Sequence, residues 1–165
     1  MKKHYCSLGI LILFLISGFT NAQDFSKMKR MDGFVPFYLD EEKGKIYLEI
    51  NHLDQEFLYV NSLTAGVGSN DIGLDRGQLG DDRLVEFRKT GNKVFLVHKN
   101  TGYRAYTDNP YEAKSIKDAF AESILWGFEI IKTEEGKHFV DGTTFFLQDA
   151  HGVSETLSRS RQGTY

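Results

Sequence analysis

The chain has 165 residues, a net charge of −3, one cysteine, and an aromatic complement of thirteen Phe, eight Tyr and one Trp. A mildly acidic chain without a basic stripe argues against nucleic acid as a partner. The aromatic content and length are sufficient for a core that folds without disulfides.

Residues 1–22 have the pattern of a signal peptide. Lys2 and Lys3 precede the apolar run Ser7–Phe19, and Ala22 provides a small residue before a cut at Gln23. Thirteen apolar residues are fewer than the roughly 20 needed to cross a bilayer as a helix. We therefore expect export to the periplasm or the exterior without a stable membrane anchor, and an uncleaved anchor is the alternative.

Cleavage would leave 143 residues with no cysteine, because Cys6 lies in the leader. The leader also carries two Lys and no acid, so the net charge of the remainder is −5. Residues 23–33 are expected to be a linker, followed by one domain over 34–165.

Alternating apolar and polar residues predict strands from Phe34 onward. In "KIYLEI" (45–50), Ile46, Leu48 and Ile50 would share one face, with Tyr47 and Glu49 on the other. The same alternation occurs at 57–60, 83–89 and 93–99. Short glycine-bearing connections at 40–45, 89–93 and 133–137 suit hairpin turns. The expected fold is α+β, a mainly antiparallel twisted sheet built from hairpins.

One packed helix is predicted over about 113–126. Ser115 and Asp118 resemble a capping box, Ile116, Phe120 and Ile124 recur every four residues, and Gly127 is placed to end the helix. In this interpretation, Trp126 and Phe120 are core residues where the helix packs on the sheet. A second, shorter helix is predicted at 142–150. After the polar stretch "SETLSRS", the last residues "RQGTY" resemble the beginning of another strand, which suggests a domain truncated at its C-terminal end.

Standard catalytic patterns are not found in the sequence. No pair of histidines is spaced for a zinc site on one helical turn, and no Gly-x-Ser-x-Gly elbow is present. His151, with Asp149 two positions earlier, is better explained as a helix-terminal histidine than as a catalytic group. We therefore expect no catalytic residue, no metal ligand and no cofactor in this chain.

The stretch "GVGSNDIGLDRGQLGDD" (66–82) interrupts the strands with five glycines and four aspartates. It does not fit a dinucleotide loop or an EF-hand, and a looser calcium site using its four aspartates is an alternative. Long loops between strands often line binding sites. The candidate binding residues are Asp71, Asp75, Arg76, Gln78, Asp81 and Asp82. Arg76 is the single cation among them, and its partner could be Asp75, Asp81 or Asp82, or a carboxylate outside the chain.

Four stretches of the chain, "GLDRGQ", "FAESILWGF", "FFLQDAHGV" and "GFVPFYLDEEKGKIYLEI", carry a resemblance that covers roughly residues 30–165. This region resembles the N-terminal domain of unknown function that precedes the catalytic domain of large secreted bacterial zinc-dependent metalloproteases. The resemblance implies a His-Glu-x-x-His zinc site far downstream of this sequence. No zinc or catalytic residue of that domain can be assigned to a position here.

The resemblance implies a non-catalytic accessory domain of a zinc-dependent metallopeptidase. Such a domain would dock on the downstream catalytic domain and present the 66–82 loop toward its cleft and peptide substrate. The alternative is a free-standing secreted module that binds peptide or glycan through the glycine-rich loop and nearby aromatic side chains.

Overall fold

The computed structural model describes residues 23–67 and 70–162. In these ranges, eight strands form one antiparallel, curled sheet with three short helices, which confirms a sheet-dominated α+β fold. The strands are β1 (Lys29–Met31), β2 (Phe37–Asp40), β3 (Lys45–Ile50), β4 (Glu56–Tyr59), β5 (Arg83–Thr90), β6 (Lys93–His98), β7 (Ser123–Glu134) and β8 (Lys137–Asp141). The helices are α1 (Pro110–Ala119), α2 (Thr143–Phe146) and α3 (Val153–Arg159), and a 3-10 turn spans Asn70–Ile72.

The strand order in the sheet is β1-β2-β3-β8-β7-β6-β5-β4. The three predicted hairpins are confirmed: β2 pairs with β3, β5 with β6, and β7 with β8. Gly44, Gly91 and Gly136 take positive φ angles of 61°, 58° and 78° in the three turns. These turn glycines explain why the hairpins are readable from the sequence, since an L side chain rarely takes that conformation.

The inner face of the curled sheet holds the core. Phe145 of α2 lies over this face, with ring centroids 5.4 Å from Phe128 and 5.7 Å from Trp126. The buried core residues are Leu48, Ile50, Val85, Phe87, Val94, Leu96, Phe128, Val140 and Phe145. Alternation along the strands therefore predicts the inner face correctly.

The outer face of β3 is also buried. Tyr47 and Glu49, expected on the side opposite the core, are only 6% and 3% exposed. The ring of Phe25 lies against this face, 5.5 Å from Tyr47 and 4.8 Å from Phe139. Residues 29–31 of the stretch expected to be a linker form β1, so this stretch both extends the sheet and covers its outer face.

The helix predicted at about 113–126 is placed wrongly. The helix α1 begins at Pro110, where the Asn109 side chain caps it by accepting a hydrogen bond from the Tyr111 amide at 3.0 Å. It ends at Ala119, and no residue of α1 is buried. The spacing of Ile116, Phe120 and Ile124 is therefore not a helical core stripe, because Ile124 lies on strand β7.

Residues 123–134 form a strand because the strands on both sides of them in the sheet pair with them. β7 pairs with β6 on one side and with β8 on the other. Trp126 is half-buried opposite Leu96, and Gly127 lies opposite Phe95. A Cβ on Gly127 would lie 3.1 Å from the Phe95 ring, so this glycine leaves room for a cross-strand aromatic side chain and does not end a helix.

The helices after β8 are shorter and more numerous than expected. The predicted second helix at 142–150 is present as the four residues of α2, and α3 follows in a stretch that was not expected to be helical. The Asp149 carboxylate accepts hydrogen bonds from the Val153 and Ser154 amides at 3.0 and 2.9 Å, which satisfies the first turn of α3. Among the helices of the described residues, none has the length and apolar character needed to cross a membrane. The predicted signal peptide, residues 1–22, lies outside the described residues.

Candidate functional site

The glycine-rich stretch folds back on the segment that precedes it. The Leu63 amide donates to the Gln78 carbonyl at 3.0 Å, and the Gly77 amide donates to the Leu63 carbonyl at 2.7 Å. Further out, the Val67 amide donates to the Leu74 carbonyl at 3.1 Å. We call residues 61–67 and 74–80 the ribbon, because these backbone bonds hold them together as two adjacent segments.

Two glycines allow the ribbon to close. A Cβ on Gly66 would lie 2.7 Å from the Arg76 nitrogen and 2.9 Å from the Leu74 carbonyl oxygen. A Cβ on Gly80 would lie 2.5 Å from the side chain of Asn61. At Gly66 the neighbours are backbone atoms, so a larger residue does not fit there, whereas at Gly80 a Cβ would force the Asn61 side chain to move. The glycines in this stretch thus permit close backbone approach, as expected from the sequence.

Most of the candidate binding residues lie at the surface of the ribbon and its turn. Asp75 is half-buried beside the fully buried Leu74, and the Asp75 carbonyl accepts a hydrogen bond from the Gln78 amide at 3.0 Å. Asp81 lies 3.4 Å from Arg83 in an exposed ion pair. The exposed candidates are Asp71, Arg76, Gln78, Asp81 and Asp82.

Arg76 is not paired with an acid of its own loop. Within residues 23–67 and 70–162, no carboxylate oxygen lies within 4.0 Å of its guanidinium nitrogens. The three intraloop partners considered from the sequence, Asp75, Asp81 and Asp82, are therefore not in contact with it. Its charge projects from the ribbon into solvent.

The acidic side chains of the loop do not converge. Among the described residues, no three His, Cys, Asp or Glu side chains come together in a group that could hold a metal ion. The looser calcium site on Asp71, Asp75, Asp81 and Asp82 is therefore not assembled in this arrangement.

The ribbon is attached to the turn before α3. The Asn61 amide nitrogen lies 3.2 Å from the Ala150 carbonyl and 3.0 Å from Nδ1 of His151. The amide nitrogen donates to the Ala150 carbonyl, which can only accept, and it can also donate to Nδ1 of His151 when that nitrogen carries no proton. Asp149 is engaged with the backbone of α3, so Asp149 and His151 do not form a pair.

A charged network on the outer face of the sheet was not found from the sequence. Glu86 of β5 is 6% exposed and is contacted by Arg88 and by Lys99, the latter at 3.4 Å. Glu122, just after α1, lies 2.9 Å from Arg88 and 2.7 Å from Lys99. Glu86 and Arg88 alternate with apolar residues in "RLVEFRKT", so the sequence places both on the polar face of β5. This alternation is the sequence feature that could have indicated their contact.

The network favours the charged forms of Glu122, Lys99 and Arg88. Hydrogen bonds from Arg88 and then Lys99 lower the pKa of Glu122 from 4.5 to about 2. The bond to Glu122 also raises the pKa values of Lys99 and Arg88. The two carboxylates and the two cations are all paired with one another. Because Glu122 follows α1 and its partners lie on or next to the sheet, these ion pairs hold the end of α1 against the sheet.

A second buried carboxylate anchors the N-terminal part of the chain. Glu49 accepts a hydrogen bond from the Tyr38 hydroxyl at 2.8 Å and lies 3.4 Å from Lys137 and 3.6 Å from Arg30. Burial of Glu49 acts to raise its pKa, but these three partners together hold the pKa below its ordinary value. The side chain thus binds β1, β2 and β8 to β3.

One cleft lies away from the ribbon. It has a volume of about 680 Å³ and opens between the N-terminal segment and the turn from β2 to β3. None of the candidate binding residues lines this cleft. Its lining carries charges of both signs, from Asp24, Lys27, Lys29, Asp40, Glu41, Glu42 and Lys43. The ribbon remains the feature that best matches the sequence-based expectation of a presented loop.

Comparison with known proteins gives two family matches. Residues 77–165 match the family described as Domain of unknown function (DUF5117), and residues 23–66 match Domain of unknown function (DUF5118). No curated protein and no solved structure matches the chain. The boundary between the two matches falls within the ribbon and its turn.

Proposed function

We propose that this chain, which belongs to the family described as Domain of unknown function (DUF5117), is a non-catalytic accessory domain of an exported zinc-dependent metallopeptidase. In this proposal the domain docks on a catalytic domain further along the same parent chain and presents its ribbon toward the cleft. Zinc belongs to that catalytic domain, and no residue described here is assigned to it. The proposal rests on the resemblance of residues 30–165 to the region that precedes such catalytic domains.

The exposed guanidinium of Arg76 is the observation that best supports a presented loop. An arginine can donate two parallel hydrogen bonds to one carboxylate, which gives a directed contact with a protein or peptide. Arg76 forms no ion pair with an acid in the described part of the chain and is exposed, so its donors can reach an external partner. Its neighbour Leu74 is 1% exposed and fixes the base of the turn.

The ribbon is suited to presenting that charge in a defined place. Its two segments are closed by backbone hydrogen bonds, and Asn61 attaches them to the turn before α3. A contact residue on a fixed element loses less conformational entropy on binding than one on a free loop. The sheet would therefore act as a support, and the ribbon as the contacting element.

The test is Arg76→Ala in the full-length parent, with Arg104→Ala as the matched control, since Arg104 is also an exposed arginine. Peptidase activity and the denaturation midpoint of this domain are measured for both variants. We expect Arg76→Ala to reduce activity at least several-fold with an unchanged midpoint, and Arg104→Ala to change neither. Unchanged activity in Arg76→Ala would make the ribbon a connector.

A second candidate is a free-standing module that binds peptide or glycan. Exposed aromatic side chains near α1 favour it, since Tyr106 is 94% and Tyr111 is 83% exposed, and such rings stack on ligands. The two candidates differ in one observation, namely whether the reading frame continues beyond Tyr165 into a His-Glu-x-x-His segment. A stop codon at that point would support the module and reject the accessory domain.

A further inference from the structure

We infer that the segments matched by two separate families are parts of one folding unit. We call residues 23–66 the first segment and residues 77–165 the second segment. The first segment is the binding partner that completes the sheet of the second. This inference does not depend on the proposed function.

The strand order interleaves the two segments in a single sheet. The second segment supplies the four central strands, β8, β7, β6 and β5. The first segment supplies both edges: β3 pairs with β8 on one side, and β4 pairs with β5 on the other. The strands of the first segment therefore flank those of the second on both sides, and the first segment forms no separate sheet.

The two segments also share one core. Leu48 and Ile50 of the first segment are 5% and 1% exposed, and they belong to the same buried cluster as Val140 and Phe128 of the second. Phe145 packs near Tyr59 of the first segment, with ring centroids 6.0 Å apart. The described residues therefore hold no boundary at which the apolar contacts of one segment end and those of the other begin.

Polar contacts between the segments occur near both edges of the sheet formed by the second segment. Lys45 lies 2.7 Å from Asp141, and the Ile46 amide donates to the Thr143 hydroxyl at 3.0 Å. At the opposite side of the sheet, Asn61 donates to the Ala150 carbonyl at 3.2 Å. These side-chain contacts add polar links to the backbone pairing of the two segments.

The second segment alone would leave two strand edges unpaired. The backbone groups of β8 that bond to β3, and those of β5 that bond to β4, would face solvent, and the inner face would lose Leu48 and Ile50. Unpaired edges beside exposed apolar residues are sites of aggregation. We therefore expect any chain that contains the second segment without the first to cover these edges with another polypeptide.

The first test uses Trp126, the single tryptophan, as a reporter located in the second segment. Leu48→Ala changes the first segment, and denaturant unfolding is followed by Trp126 fluorescence. We expect the folded-to-unfolded ratio reported by Trp126 to fall about 100-fold or more, because a buried leucine is truncated. The matched control is Leu58→Ala, since Leu58 lies in the same segment and is 64% exposed. An unchanged Trp126 transition in Leu48→Ala would overturn the inference.

The second test cuts the connection between the segments. A protease recognition sequence is inserted in the full chain after Gly73, where a Cβ would have no neighbour within 4 Å, and the purified protein is cleaved to completion. We expect the two pieces to elute together at the size of the intact chain, with unchanged Trp126 emission, and to separate only in denaturant. Separation in native buffer with unchanged Trp126 emission would show independent folding and contradict the inference.

Discussion

The amide nitrogen of Asn61 lies 3.0 Å from Nδ1 of His151, a contact between residues 90 positions apart in the chain. The same nitrogen lies 3.2 Å from the Ala150 carbonyl. Gly80 lies against the Asn61 side chain, and a Cβ on Gly80 would be 2.5 Å from it. One asparagine therefore joins the ribbon to the turn before α3. It links the glycine-rich loop to a segment distant in the sequence, in addition to the backbone bonds within the ribbon.

Asn61→Ala should loosen the ribbon locally. The variant loses both side-chain hydrogen bonds, each worth about 0.5–1.5 kcal/mol. We expect faster hydrogen exchange at the Leu63 and Gly77 amides, while amides of β6 exchange as before. Asn51→Ala serves as the control, since Asn51 is exposed. Equal protection of the ribbon in both variants would show that the backbone bonds alone hold it.

Gly66→Ala should destabilise the closed ribbon. The new Cβ would lie 2.7 Å from the Arg76 nitrogen and 2.9 Å from the Leu74 carbonyl oxygen, and backbone atoms cannot move aside cheaply. Overpacking of this kind costs about 1–3 kcal/mol. The control is Gly102→Ala, whose Cβ would have its nearest neighbour at 3.9 Å. Denaturation midpoints that agree for the two variants would contradict the close approach.

Trp126→Ala should destabilise the domain through loss of contact with the core. Trp126 is half-buried on β7 and packs 5.7 Å from Phe145, so we expect a cost near the lower end of the about 3–5 kcal/mol typical of large aromatic truncations. Unfolding is followed by circular dichroism in this variant. A midpoint equal to that of the unsubstituted chain would show that Trp126 does not support the core.

Phe120→Ala provides the comparison for Trp126→Ala. Phe120 is 36% exposed and stacks on Tyr103 with ring centroids 3.8 Å apart, outside the buried core cluster. The expected cost is about 0.5–1.5 kcal/mol, the value of an aromatic pair. A larger cost for Phe120→Ala than for Trp126→Ala would restore the sequence-based assignment of Phe120 to the core.

Glu122 should contribute to stability in a pH-dependent manner. Its pKa in the folded chain is about 2, below the ordinary value of 4.5, because Arg88 and Lys99 donate to it. A lowered folded-state pKa gives stability that is fully present above about pH 4.5 and is lost as the pH falls toward 2. We therefore expect Glu122→Gln to be destabilised at pH 7 by about 1.5–3 kcal/mol, the value of hydrogen bonds to a charged group.

Measuring the stability of Glu122→Gln at several pH values tests whether the loss of stability is ionic. The difference in denaturation midpoint between this variant and the unsubstituted chain should shrink steadily from pH 5 to pH 2, since protonated Glu122 loses its ion pairs. Glu129→Gln is the control, because Glu129 is 75% exposed and 3.7 Å from Lys93. A difference that stays constant with pH would exclude the ionic contribution.

The loop shows how far the sequence predicts the candidate site. Its glycine content predicts close backbone approach, and Gly66 and Gly80 fulfil that role. The sequence leaves open a contact between Arg76 and an acid of its own loop, and that contact is not made in the described residues. Short spacing along the chain brings charges near each other, but the direction of each side chain depends on how the ribbon folds.

The hairpins and the inner face of the sheet follow from local sequence alone. Alternation and turn glycines act between residues close in the chain, so they predict β2–β3, β5–β6 and β7–β8 without knowledge of distant partners. Residues 123–126 at the start of β7, which the sequence assigns to a helix, instead require the folded sheet, because their strand conformation depends on pairing with β6. Burial of Glu49 and Glu86 also depends on tertiary structure, since the groups that cover and neutralise them include Phe25, Lys137 and Lys99, which pack there only after the chain has folded.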